Sequence, residues 1–292
     1  MARRYAVRPS VRLKIRDTSC GRRRPRPSLG AMIDATRGVL FPERLPTFTR
    51  LEPIGRVAAL VRWYWIPEWD LAPGQASAQQ LVGYPAVNLV VEPGGVSLSG
   101  PTTRSGRREL TGRGWAVGAL LRPAATAALA ERPEALVDRL AAVRHPELHA
   151  AVAAAMSSAD AGERHAAATA AFSAWLEATV PPPAGDALLA NAMADLLLQD
   201  AGILHVGDAA DRLGVSPRTL QRLARRYVGV PPAAMIRRRR LQEAAQRLRE
   251  RPDADLAALA AELGYADHAH LTRDFRTVLS FTPSEYRAVR EP

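Results

Sequence analysis

Cysteine is almost absent: Cys20 is the only one in 292 residues. A single thiol forms no intramolecular disulfide and no Cys-x-x-Cys metal site, and it suits a reducing compartment. Long apolar runs are missing as well. Stretches such as Ala150 to Met156 and Val117 to Leu121 fall far short of the roughly 18 residues that cross a bilayer, so no membrane partner is expected. The N-terminus is basic but has no hydrophobic h-region, because Arg22-Arg23-Arg24 runs into Pro25-Arg26-Pro27-Ser28. An export signal therefore reads poorly, and the expected location is the cytoplasm. Catalytic constellations are lacking too: there is no Gly-x-Ser-x-Gly, no phosphate loop and no dinucleotide fingerprint. Asp267-His268-Ala269-His270 offers two histidines that diverge at a helix start, with no third metal ligand at a suitable spacing. The expectation is a protein that is not an enzyme and needs no cofactor and no metal.

What is present is a globular composition, 47% hydrophobic and 24% charged, with a net charge of +11. The length suits about two domains. Lysine occurs once against 39 arginines, and the positive charge is unevenly placed. Residues 1–31 carry ten basic groups and one acidic, residues 32–202 carry 14 and 17, and residues 203–292 carry 16 and 11. The first of these segments has no periodicity and too little apolar surface to offset its ordering entropy, so it reads as a disordered basic tail. It is either a nucleic-acid-binding arm or, as composition favours, an over-extended start ahead of Met32 or a tail without a specific role.

The last ninety residues hold an internal repeat. Val206, Ala209, Ala210, Leu213 and Gly214 match Leu256, Leu259, Ala260, Leu263 and Gly264; one inserted residue later, Leu220, Arg222, Ala224, Arg225 and Pro232 match Leu271, Arg273, Phe275, Arg276 and Pro283. Each copy reads as a short striped helix stopped by Leu-Gly, a tight turn, and a longer helix. Glycine supplies the left-handed residue that ends the first helix, and Ser216-Pro217 is a cap followed by proline at the first helical position. That is helix-turn-helix grammar. In the first copy Leu220, Leu223, Ala224 and Tyr227 would pack inward, leaving Arg218, Gln221, Arg222 and Arg225 as the opposite stripe. In the second, Leu271, Phe275 and Val278 face inward and His268, His270, Arg273 and Arg276 outward. Arginine and glutamine match guanine and adenine edges in the major groove. Exposed arginines on one amphipathic helix are ordinarily just solvated, but the same Leu-x-Arg placement in both copies tips the reading towards DNA. Residues 233–250 read as a joining helix of about 27 Å, near the ~34 Å of one DNA turn.

Gly264-Tyr265, Leu271-x-Arg273-x-Phe275 and Thr282-Pro283-x-x-Tyr286-Arg287 together resemble the C-terminal signature of the AraC/XylS family of bacterial transcription regulators. The resemblance covers residues 203–290. It implies base contacts from Arg218, Gln221 and Arg222 in the first unit and from His268, His270 and Arg273 in the second. It also implies double-stranded promoter DNA as partner, with RNA polymerase, a small-molecule effector and a second copy of the chain as further candidates. Ser280 departs from the pattern, standing where the family has glycine; a left-handed serine costs roughly 1 kcal/mol, so the second unit is expected to be less stable or capped differently.

Residues 51–123 read as mixed: an apolar helix over Ile54 to Trp65, strands at Leu89–Glu92 and Val96–Ser99, and a closing run from Trp115 to Pro123. This order is similar to a sensor-like domain found on some AraC-type regulators. Trp63, Trp65, Trp69, Tyr84 and Trp115 are candidates to line an effector pocket, although large aromatics more often fill a core. Residues 124–200 look helical, with Pro181-Pro182-Pro183 as a linker before a helix over 186–199 whose stripe is Leu188, Leu189, Ala192, Leu196 and Leu197. The expected class is α+β. The divisions are the tail 1–31, a mixed α/β sensor-like domain 32–123, a helical segment and linker 124–183, and an all-α double helix-turn-helix domain 184–292. The functional expectation is a sequence-specific DNA-binding regulator; the alternative is a ligand-binding or protein-interaction module with only non-specific DNA binding.

Overall fold

Strand alternation builds the first half of the chain in a computed structural model that describes residues 47–81 and 83–288. The basic tail and Cys20 lie outside the described residues. Leu89 and Val91 of β4 (Asn88–Glu92) and Val96 and Leu98 of β5 (Gly95–Ser99) point to one side, and Asn88, Val90, Ser97 and Ser99 to the other, as the period of two requires. The further strands are β1 (Thr47–Leu51), β2 (Val61–Asp70), β3 (Ala76–Leu81), β6 (Gly106–Thr111), β7 (Arg113–Trp115), β8 (Val117–Leu121) and β9 (Leu140–Val143). Seven of the nine form an antiparallel sheet in the order β1-β2-β8-β4-β5-β9, with β7 also paired to β2; β3 and β6 form a separate ribbon.

Two sequence expectations fail here. The helix over Ile54 to Trp65 is a 3-10 turn, Gly55–Ala59, followed by β2. The β-branched and aromatic run from Val61 is drawn into the sheet because both its edges find partners, Trp65 pairing with Arg50 on one side and Gly118 on the other. The middle segment is not wholly helical either: β9 lies within it, since the free edge of β5 pairs with Leu140–Val143 and overrides the helical preference of Leu-Ala-Ala-Val.

The first face of the sheet is covered by α2 (Pro146–Ala155) and α3 (Ala161–Thr179), with Leu148, Val152, Ala168, Phe172 and Leu176 packed on Tyr64, Ile66, Leu89 and Val117. A buried-edge cluster closes this layer. Arg164 donates two hydrogen bonds to the Glu68 carboxylate, at 2.8 and 3.0 Å, and the His165 ring lies 2.7 Å from it. Burial raises the Glu68 carboxyl, and the bonds from Arg164 and His165 outweigh it, leaving the group below its ordinary value.

The second face is shared. Part of it, Trp63 and Leu120 with Tyr84, forms one core with α4 (Asp186–Gln199), α5 (Val206–Leu213), α6 (Pro217–Tyr227) and the start of α7 (Pro232–Glu250). Polar groups fasten the same contact. Buried Asn191 of α4 accepts from the Ala124 amide of α1 (Pro123–Leu129) and donates to the Ala59 carbonyl, while Asp195 receives Arg62 and Arg122 at 2.9 and 2.8 Å. The α4 stripe is rotated from expectation: Ala190, Met193, Ala194, Leu197 and Leu198 are buried, and Leu188 and Ala192 are exposed. A helix apolar on most sides leaves its orientation to its neighbours, and here those are the sheet and α6 together. The rest of α7 forms a separate core with α8 (Leu256–Glu262), α9 (His268–Leu279) and α10 (Pro283–Ala288).

Candidate nucleic-acid interface

The repeat seen in the sequence is a repeat of caps and turns. In the first unit Asp208 accepts the Leu204 and His205 amides at 3.0 and 2.7 Å, starting α5, and Gly214 stops it at φ 65°. Ser216 then accepts the Thr219 amide at 3.1 Å with Pro217 first in α6. In the second unit Asp255 caps α8, Gly264 turns at φ 72°, and Asp267 accepts the His270 amide at 2.7 Å to start α9. Each cap satisfies amides that a helix start otherwise leaves without partners.

The two second helices divide by face as the spacing predicts. Leu220, Leu223, Ala224 and Tyr227 of α6 are buried, and Arg218, Gln221, Arg222 and Arg225 are exposed. Leu271, Phe275 and Val278 of α9 are buried, and His268, His270, Arg273 and Arg276 are exposed. The His270 ring stands edge-on to Tyr265, with centroids 5.1 Å apart. The signature's closing residues make structure instead of contacts: Thr282 and Glu285 cap each other's backbone amides, Pro283 opens α10, Tyr286 is fully buried against Phe275, and Arg287 donates to the Ala254 carbonyl.

Three features were not legible from the pattern. Arg222 donates to Asp186 of α4 at 2.8 Å, and that bond holds the Asp186 carboxyl below its usual range. Glu134, in the 3-10 turn Pro133–Leu136, stands across a cleft of about 510 Å³ from Gln221 and Arg225. Its own backbone amide and then, against burial, Arg132 and Arg225 lower its carboxyl. The run Arg237 to Arg240 is not a solvated phosphate-binding stripe. Successive helix positions turn by about 100°, so the four arginines do not form one stripe: Arg237 pairs with Asp274 at 2.9 Å and Arg240, three positions on along the same face, stacks 3.8 Å over Tyr265, while Arg238 donates to the Thr102 carbonyl and buried Arg239 donates to the Ile203 carbonyl. Burial pushes the Arg238 guanidinium down to about 10, with the Asp138 carboxylate opposing. Together they join α7 to three parts of the molecule, the second unit, the Thr102 loop and the segment before α5, and no charge count could have shown this.

The uncovered part of the sheet's second face forms a cleft of about 1010 Å³ beneath the β3–β6 ribbon. Trp65 and Tyr84 line it, whereas Trp63 belongs to the core shared with α4, and Trp69 and Trp115 border a different groove. The aromatic candidates therefore separate among three places, with Tyr84 serving both the cleft and the shared core. Trp65 lies flat because Gly118 is beneath it: a Cβ there would come 2.0 Å from the indole. Its ring nitrogen donates to Asn88 at 2.9 Å. Ser280 adopts the left-handed conformation expected of glycine, φ 69°, and its hydroxyl lies 3.1 Å from that of Ser105.

Residues 209–288 match a family described as a helix-turn-helix domain, and residues 49–140 one described as a domain of unknown function, DUF6597. A Streptomyces lividans protein described as an AraC-like transcription regulator is 34% identical over 117 residues, 40% of this chain and 36% of that protein. PqrA of Proteus vulgaris, described as a transcription factor, is 31% identical over 84 residues, 29% of this chain and 68% of PqrA. The chain thus spans about a third of the length of the Streptomyces relative and two thirds of PqrA. ToxT of Vibrio cholerae overlays 83% of this chain and 97% of its own at 12% identity and a TM-score of 0.38, too loose an overlap to carry an assignment. No helix of the described residues is long and apolar enough to cross a membrane. With its paired helix-turn-helix units and its likeness to PqrA, the chain belongs to the AraC family of helix-turn-helix transcription regulators.

Proposed function

We propose that the protein is a cytoplasmic transcription regulator that reads promoter DNA with α6 and α9, under the control of a small molecule bound in the cleft of the sheet. The observation that carries this reading is the pair of capped helix-turn-helix units, each burying its apolar stripe and presenting an arginine-bearing stripe. Arg218, Gln221, Arg222 and Arg225 on α6, and His268, His270, Arg273 and Arg276 on α9, are the residues proposed to meet DNA. Planar, bidentate side chains suit base edges. Residues 184–292 make up the proposed DNA-binding domain, although α4 and the first unit share their core with the sheet. RNA polymerase and a second copy of the chain are proposed partners, and no catalytic activity is assigned.

The test is selection of binding sites from random duplex DNA by the full chain at physiological salt. Enrichment of two reading blocks about one helical turn, ~10 base pairs, apart is expected. Arg222→Ala should lose about tenfold or more discrimination at one base pair, whereas Arg249→Ala, outside both reading helices, should weaken all sequences alike or none. Salt-sensitive binding with no enriched motif would replace this reading with non-specific association through phosphate contacts.

A further inference from the structure

The two helix-turn-helix units are held differently. The first is fused to the sheet through one shared core, while the second has its own core; Leu204 lies against its Gly264, α7 leads into it, and the segment Gly100 to Ser105 ties it to the sheet domain. That segment is fastened at both ends. On the sheet side the Gly100 amide donates to the Arg139 carbonyl at 3.0 Å, and Thr103 donates through its amide and its hydroxyl to Asp138, both at 2.6 Å. On the other side Arg238 donates to the Thr102 carbonyl, the Ser105 amide donates to the Val278 carbonyl at 2.7 Å, and the Ser105 hydroxyl donates to the Leu279 carbonyl at 3.2 Å. These last two carbonyls end α9, so a loop of the sheet domain caps the second reading helix.

The same segment is a wall of the 1010 Å³ cleft, whose size suits a small organic molecule. Its charge is unbalanced. Arg108 is paired with Glu92, and Asp138 is taken up by Thr103, but the guanidiniums of Arg104, Arg107 and Arg139 meet no carboxylate within 4.0 Å among the described residues. Trp65 and Val90 offer an apolar floor below them. Arg104 adjoins Ser105, and the Arg139 carbonyl holds Gly100, so a group bridging these two side chains would bear on both ends of the strap.

We propose that the cleft binds a small organic carboxylate through Arg104, Arg107 and Arg139, and that the Gly100–Ser105 strap passes its occupancy to the second helix-turn-helix unit. This rests on the regulator reading above and specifies the effector's chemistry and its route. The bidentate fork of arginine matches a carboxylate and does not match the neutral amide of the same shape.

The experiment titrates the full chain, by calorimetry, with phenylalkyl carboxylates of two to six methylenes and with the corresponding amides. At least one acid should bind saturably about tenfold tighter than its amide, and Arg107→Gln with Arg139→Gln should abolish that preference while thermal unfolding stays unchanged. Hydrogen exchange with the best acid should then slow the Ser105 amide and amides 276–280, and leave α5 and α6 as they were. Absence of binding by every acid, equal binding of acid and amide, or an unaltered α9 terminus overturns the proposal. Site selection on the same preparation keeps the two readings apart. An enriched motif with a failed titration removes the carboxylate alone; a successful titration with no motif removes promoter reading alone.

Discussion

Replacing Gly118 by alanine should do its damage through Trp65. The new Cβ would sit 2.0 Å from Cε2 and 2.2 Å from Cζ2 of the indole, so the ring must move by about 1.4 Å to restore an ordinary contact of about 3.4 Å. Trp65 cannot do so freely, because its Nε1 donates to Asn88 at 2.9 Å and Gly118 is paired on both sides, to Trp65 and to Val90. Overpacking costs about 1–3 kcal/mol and the lost hydrogen bond about 0.5–1.5 kcal/mol. The smaller entropy of the unfolded alanine chain returns about 0.4–1 kcal/mol. The net expectation is a loss of about 1–3 kcal/mol, read as a lower urea midpoint, together with altered tryptophan emission. A double-mutant cycle isolates the cause: with Trp65→Ala already made, Gly118→Ala should cost almost nothing. An equal cost in both backgrounds would refute the steric account and put the strain in the β8 backbone.

Asp186→Asn should raise affinity for the selected DNA site about two- to fivefold, because Arg222 no longer has to leave a carboxylate partner; anisotropy titrations showing unchanged affinity would mean that the pair persists on DNA or that Arg222 stays clear of it. Gly229→Ala combines a φ of +92° with a Cβ 2.6 Å from the Pro133 backbone, so about 2–4 kcal/mol of stability should be lost, and a denaturation midpoint within error of the parent would refute the contact between α6 and the Pro133–Leu136 turn. The Glu68 carboxyl lies below its ordinary value in the folded chain, so its contribution is fully present above the unfolded value, about 4.3, and is lost as pH falls through the lowered folded one. Glu68→Gln should therefore flatten the loss of stability below about pH 4, and identical acid profiles for variant and parent would exclude the Arg164–His165 cluster as its source.

The sequence by itself determined the helix-turn-helix units, because their information is local. Caps such as Ser216 and Asp267, left-handed stops such as Gly214, and stripes of period 3.6 act within one or two turns of chain, and all four outward residues in each reading helix are exposed as the pattern requires. Ser280 takes the left-handed conformation in spite of its side chain. Tertiary structure decided whatever depended on a partner distant in sequence. Val61 to Trp65 became a strand because β1 and β8 flank it, β9 formed at an edge that β5 left open, and α4 rotated to serve the sheet and α6 at once. The arginines divide in the same way. On α6 and α9 the neighbouring apolar stripe sets which side faces out, so their exposure follows from spacing, whereas Arg237 to Arg240 lie on a helix packed on several sides and each takes the nearest available acceptor or ring. Local periodicity fixes which face of a helix is apolar, but only the assembled fold fixes what each remaining polar group meets, since the desolvation of a buried charge has to be offset by whichever acceptor the packing brings near.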